Sequence, residues 1–292
     1  MTLAFHGRAV RGIDIHTHIP RRGGLAADPR AEEKARYFRS PTLGMTVEQM
    51  VELYRQLELA AVVFDVDKET SSDDPFEGND YVAEVVRQYP DVFIGFASVD
   101  PWKGRLALHE LERAVTQLGL RGLKLHPITQ AFFPNDERFY PLYALAQDLG
   151  IPVMFHTGHT GIGAGTPGGT GLRLKYSRPI YLDDVAADFP RLTIIGAHPS
   201  WPWQDEMLSV CLHKANVYID LSGWSPKYFQ PSLIQYANTL LQDKVLFGSD
   251  FPVISPERWL NDFAAADFRE HVRPKILLEN ARRLLKLDGA AG

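Results

Sequence analysis

Residues 10–18, Val-Arg-Gly-Ile-Asp-Ile-His-Thr-His, decide how the chain is read. A short apolar run ends on two histidines spaced two apart, and on a strand that spacing turns both imidazoles to one face. The run at 10–16 is the first of eight such segments; the others lie at 61–66, 92–98, 120–126, 152–157, 192–197, 216–221 and 244–249. Longer amphipathic patterns separate them, at 46–59, 79–89, 105–118, 137–149, 182–189, 204–214 and 232–241. Two more close the chain at 256–268 and 274–285. Short strands alternating with helices are the signature of repeated βα units.

Local signals agree. Val62-Val63-Phe64 and Leu192-Thr193-Ile194-Ile195 are apolar without alternation, as strands covered on both faces are. Thr46 with Gln49 three residues on forms a capping-box pattern, and Gly119 and Gly150 stand where helix C-caps are expected. Eight strands and their helices, with no Ser/Gly linker between them, predict an α/β fold, a single (β/α)8 TIM barrel over residues 1–292. A doubly wound open sheet is the alternative. Two connections are long and rich in Gly and Pro, 17–45 and 158–178. Both leave strand C-termini, where such barrels place their active sites.

The strand ends carry the chemistry. The first ends on His16 and His18, the fourth carries Lys124 and His126, the fifth His156 with His159 just beyond, the sixth His198, and the eighth Asp250. In a closed barrel these ends surround one mouth. Imidazole and carboxylate are ligands that zinc and similar divalent ions prefer.

The ordered motifs Asp14-Ile15-His16-Thr17-His18, Gly122-Leu123-Lys124-Leu125-His126-Pro127, His156-Thr157-Gly158, Gly196-Ala197-His198 and Gly248-Ser249-Asp250-Phe251-Pro252 resemble the amidohydrolase superfamily. More narrowly, they resemble the amidohydrolase-related branch that includes aminocarboxymuconate semialdehyde decarboxylase, aromatic-acid decarboxylases, and some hydrolases and hydratases. The resemblance implies that His16, His18, His156 and Asp250 hold one divalent metal, zinc first, with manganese or iron as alternatives. It implies that Asp250 and His198 are the catalytic residues, Asp250 handling protons and His198 beside the ion as general acid/base or electrophile, or as a further ligand. Lys124 stands where some members carry a carboxylated lysine bridging two metals, so it is a candidate for a second metal or for a substrate contact.

Two reactions suit such a centre. In the first reading, water activated at the metal hydrolyses a small carboxylate-bearing amide, lactone or ester. In the alternative, an aromatic or enol acid is protonated at the carbon bearing its carboxylate and loses carbon dioxide. A barrel that binds without catalysing is a third possibility. His159, Arg173, Arg178 and Trp201 are candidate substrate contacts, the arginines because guanidinium matches a carboxylate, the tryptophan because it can wall a planar ring. For the arginines, solvated loop charges remain the other reading.

Composition narrows the rest. Of 292 residues, 45% are hydrophobic and 23% charged, which excludes disorder as the dominant state. Lys plus Arg number 31 against 36 Asp plus Glu, a net charge of −5 that argues against a nucleic-acid surface. One cysteine, Cys211, excludes an intrachain disulfide and fits a reducing compartment. No run approaches the ~18 apolar residues of a membrane span. The expected protein is cytoplasmic, takes a small-molecule substrate, and is open to forming a homodimer or a larger homo-oligomer.

Overall fold

A hairpin precedes the first barrel strand: β1 (Leu3–Phe5) pairs antiparallel with β2 (Arg8–Val10). The computed structural model describes residues 2–24, 31–72 and 76–287, so positions 25–30 of the first long loop lie outside the described residues. The barrel strands are β3 (Gly12–His18), β4 (Leu59–Phe64), β5 (Phe93–Gly95) continuing as β6 (Ala97–Ser98), β7 (Leu123–Leu125), β8 (Val153–His156), β9 (Ile194–Ala197), β10 (Val217–Asp220) and β11 (Val245–Leu246). Helices alternate with them. α1 (Ala31–Phe38) and α2 (Val47–Gln56) follow β3, and α3 (Asn79–Gln88) follows β4. α4 (Arg105–Thr116), α5 (Tyr140–Asp148), α6 (Tyr181–Asp188), α7 (Gln204–His213) and α8 (Pro231–Ala237) follow the next five in turn. α9 (Pro256–Ala265) and α10 (Asn280–Leu284) close the chain. Among the described residues, none of these helices is long and apolar enough to cross a membrane.

All barrel pairings are parallel, in two sheets ordered β3-β4-β5 and β6-β7-β8-β9-β10-β11. Backbone hydrogen bonds, in place of a regular ladder, join the sheets. The Phe96 N–H donates to Val63 O at 3.0 Å, and at the other seam Ile15 N–H donates to Phe247 O at 2.9 Å and His18 N–H to Phe251 O at 2.7 Å. This strand order is that of a (β/α)8 barrel, as the alternation of elements predicts, and the doubly wound arrangement is set aside.

Side chains sort by parity. Ile15, Val62, Phe64, Ile94, Phe96, Met154, Ile195 and Leu246 pack together in one buried cluster, the barrel interior. Ala61, Val63, Leu123, Leu125, Phe155, Val217 and Ile219 join the cluster that includes Tyr54, Leu111, Tyr143 and Val185 of the surrounding helices. Lys124 and His156 alternate with Leu123, Leu125 and Phe155, so they fall on the inward side. In β3 the register shifts between Asp14 and Thr17, a bulge of the kind that re-aims side chains beside active sites. The capping box at Thr46 is formed, with its hydroxyl accepting from Gln49 N–H and the Gln49 side chain accepting from Thr46 N–H.

Candidate metal centre

At the C-terminal mouth, the Nε2 atoms of His16 and His18 stand 3.4 Å and 3.3 Å from Asp250 Oδ1. Their ligand atoms lie within 4.8 Å of one another. A second group of the same compactness comprises His16, His198 and Asp220, and His16 belongs to both. The hydrogen bonds tell the two apart. His16 Nδ1 is 3.0 Å from Asp220 Oδ2, so its proton sits on Nδ1 and its Nε2 lone pair faces Asp250 and His18. Burial raises the Asp220 carboxyl, but His16, His198 and the Ser222 hydroxyl outweigh it and hold Asp220 well below the usual carboxylate range. Asp220 thus orients the His16 ring, in the manner of the outer partner of a metal-binding histidine.

The same logic runs through His198 and His156. His198 Nδ1 donates to Ser222 O at 3.0 Å, which leaves Nε2 as an acceptor. His156 Nδ1 lies 2.9 Å from that Nε2 and carries the shared proton. His156 Nε2 is therefore a lone pair, and it is buried with no hydrogen-bond partner among the described residues. A buried imidazole nitrogen left unsatisfied is costly, and such a lone pair suits a cation, although His156 stands outside both groups of close ligand atoms. Burial, with the neighbouring histidines and Lys124, holds His156 well below the usual imidazole range, so it is neutral, the form in which an imidazole can ligate. On donor chemistry, the residues present fit a divalent metal.

Lys124 is fully buried, with Nζ 3.3 Å from His16 Nε2 and 5.0 Å above the Phe64 ring. Burial lowers its ammonium to about 8, against the pull of Asp220 and Asp250. Burial raises the Asp250 carboxyl too, but the His18 hydrogen bond and the nearby histidines hold it below its ordinary value. The backbone is strained at these positions. His198 and Asp250 sit at φ of 73° and 69°, a region side chains other than glycine rarely adopt. Gly223 leaves room beside them, since a Cβ there would come 2.7 Å from His198 Nδ1 and 3.2 Å from Asp250 Oδ2.

The centre opens into a cavity of about 750 Å³. His159 and Trp201 line it, their rings 5.6 Å apart edge to face, with Trp224 5.9 Å from Trp201. Arg173 and Arg178 do not line it. Arg173 is exposed in the glycine-rich loop, and Arg178 Nη2 pairs with Glu206 Oε2 at 2.9 Å. The cations that reach the cavity besides Lys124 are Arg21, Lys68 and Arg258. Sequence reasoning missed Asp220 and Ser222, whose only signal was polar residues closing an apolar strand. It also missed Tyr37 and Phe38 of α1, which line the cavity from the first long loop.

Known proteins resemble this one throughout its length. An amidohydrolase family model matches residues 13–287. A gamma-resorcylate decarboxylase from Polaromonas sp. (strain JS666 / ATCC BAA-500) is 25% identical over 272 residues, covering 80% of this chain and 82% of that protein. An uncharacterised TIM-barrel protein from Bordetella bronchiseptica superposes with a TM-score of 0.81 at 28% identity, over 94% of this chain and 98% of the other. A dihydroxybenzoic acid decarboxylase from Polaromonas sp. JS666, solved with bound manganese and the inhibitor 2-nitroresorcinol, gives 0.68 at 20% identity, over 96% and 98%. With that match running from β3 past α10, through every strand end just described, the chain belongs to the amidohydrolase family.

Proposed function

We propose that the protein is a metal-dependent, non-oxidative decarboxylase of a small aromatic acid. The observation that carries the reading is the convergence of His16, His18 and Asp250 beside a cavity walled by Trp201, Trp224, Tyr37 and Phe38, a shape suited to a flat ring. The decarboxylases among its relatives support this alternative over hydrolysis, the first reading from sequence. His16, His18, His156 and Asp250 would hold one divalent ion. Manganese takes the place of zinc as the first expectation, on the strength of the manganese-bound relative. Lys124, beside His16, serves the substrate in this reading and bridges no second ion.

When bound, the ion supplies positive charge that binds and polarises the oxygens of the acid. The chain's residues do the rest. Asp250 collects a proton and delivers it to the ring carbon bearing the carboxylate. The bond from that carbon to the carboxylate breaks, carbon dioxide leaves, and the bonding pair restores the aromatic ring. His198, on the other side of Gly223, steadies the charge on Asp250. Trp201, Trp224, Tyr37 and Phe38 wall the cavity that would take the ring, and the reaction consumes no water. Incubation of manganese-loaded protein with 2,6-dihydroxybenzoate tests the reading: it expects carbon dioxide and resorcinol, with one solvent hydrogen on the product ring. Lactone or amide cleavage by the same preparation, with no carbon dioxide from aromatic acids, would overturn it.

A further inference from the structure

The mouth holds a histidine that neither the metal nor the proton transfer uses. His126 follows β7 in the Gly-Leu-Lys-Leu-His-Pro motif; it is 5% exposed, and that surface lines the cavity. Its ring lies on that of His156, with centroids 3.9 Å apart and planes within 9°. The turn that follows is pinned from several sides. His126 N–H donates to Gln130 Oε1 at 2.8 Å, and Gln130 Nε2 donates to Asp67 O at 2.6 Å and Val99 O at 2.9 Å. Thr129 N–H points at His126 Nδ1, 3.4 Å away. A backbone N–H can only donate, so Nδ1 is the acceptor and the proton of the neutral ring rests on Nε2. No residue among those described accepts from that Nε2.

We infer that His126 is a substrate-binding residue, a fixed neutral donor whose Nε2–H bonds an acidic oxygen of the ring acid. The inference rests on the aromatic-acid reading above and deepens it. Stacking on His156 sets the plane of the donor and Thr129 sets its tautomer, so the proton is held in one direction. The acceptor is either the carboxylate or a ring hydroxyl beside it.

Binding separates this inference from the reaction. Stopped-flow quenching of tryptophan fluorescence, through Trp201 and Trp224, reads the Kd of 2,6-dihydroxybenzoate and of benzoate on manganese-loaded protein in the binding phase, before the acid is turned over. His126→Phe keeps the stacking ring and removes the donor, whereas His126→Gln keeps an N–H near the position of Nε2. The Phe variant is expected to bind 2,6-dihydroxybenzoate about 10- to 100-fold more weakly, the range for losing one hydrogen bond to a charged oxygen. The Gln variant should stay within about threefold of the parent, and both should keep the parent's manganese content. An equal loss for benzoate assigns the bond to the carboxylate, and a loss confined to the dihydroxy acid assigns it to the hydroxyl; either supports the inference. Unchanged binding in the Phe variant would overturn it. So would loss of manganese in that variant, since His126 would then act through His156. Binding that obeys these expectations in a protein releasing no carbon dioxide would sink the decarboxylase reading and leave the donor in place.

Discussion

Nδ1 of His16 lies 3.0 Å from Oδ2 of Asp220, with the two side chains 1% and 0% exposed. That contact links the ends of β3 and β10 and fixes which nitrogen of His16 is free. Asp220→Asn removes the charge and leaves all four candidate ligands in place. Metal affinity, measured by competition with a chelator, is expected to fall about 10- to 100-fold, the usual loss for an outer partner of a ligand. Undiminished affinity would mean that His16 is not a ligand through Nε2.

His198 is the complementary case. His198→Asn should lower kcat by roughly 10²- to 10³-fold, the cost of removing one group that stabilises charge in a site, here the charge on Asp250. Manganese affinity should fall about 10- to 100-fold, because His156 loses the acceptor of its Nδ1–H, while excess manganese should still bring the variant to one ion per chain, since all four candidate ligands remain. Stoichiometric loss of metal would reassign His198 as a ligand.

The two long loops meet over the cavity at Gly161. A Cβ there would come 2.6 Å from the Phe38 ring and 2.7 Å from Tyr37. Gly161→Val is expected to displace α1 from the mouth, at a cost of about 1–3 kcal/mol confined to this contact. KM for the aromatic acid should rise while Tm shifts by no more than about 5 °C. An unchanged KM would show that α1 does not help to form the binding cavity.

Cys211 gives a pH dependence with a definite sign. Burial pushes its thiol from 9.0 up to about 12, against the pull of Lys244. The unfolded chain loses this proton first, so the group's contribution to stability is intact below about pH 9 and declines between there and pH 12. Cys211→Ala should flatten that part of the stability curve. At pH 8 the folded protein should leave the thiol unreacted with a disulfide reagent, and denaturant should release one thiol per chain. Rapid labelling of the folded protein would contradict the burial.

Much of this was legible because a barrel strand separates its tasks along its length. Apolar residues such as Val62 and Ile195 fill the middle, and the polar ends that remain, His16 to His18 and Asp250, gather at one mouth. Elements without that contrast escaped. β1 and β2 have three residues each, and their turn through His6 and Gly7, both at positive φ, lacks the common Asn-Gly or Asp-Gly signature. α1 carries Glu32, Glu33 and Lys34 and reads as loop. Asp220 has no companion motif and becomes meaningful only when β10 is set beside β3. The arginines were misplaced for a simpler reason: a loop sequence does not say which acid its cation meets, and Arg178 meets Glu206. Hydrolysis and decarboxylation share one ligand set, so the strand ends alone do not separate them.

The most direct test strips the protein with a chelator, reloads it with manganese, and follows 2,6-dihydroxybenzoate in deuterated water. One manganese per chain, activity that returns with it, carbon dioxide release and a single deuterium in the resorcinol product are expected, together with loss of both metal and activity in a His16→Ala, His18→Ala double variant. Protein that binds no stoichiometric metal, or a double variant that keeps its metal, would contradict a centre built on these strand ends.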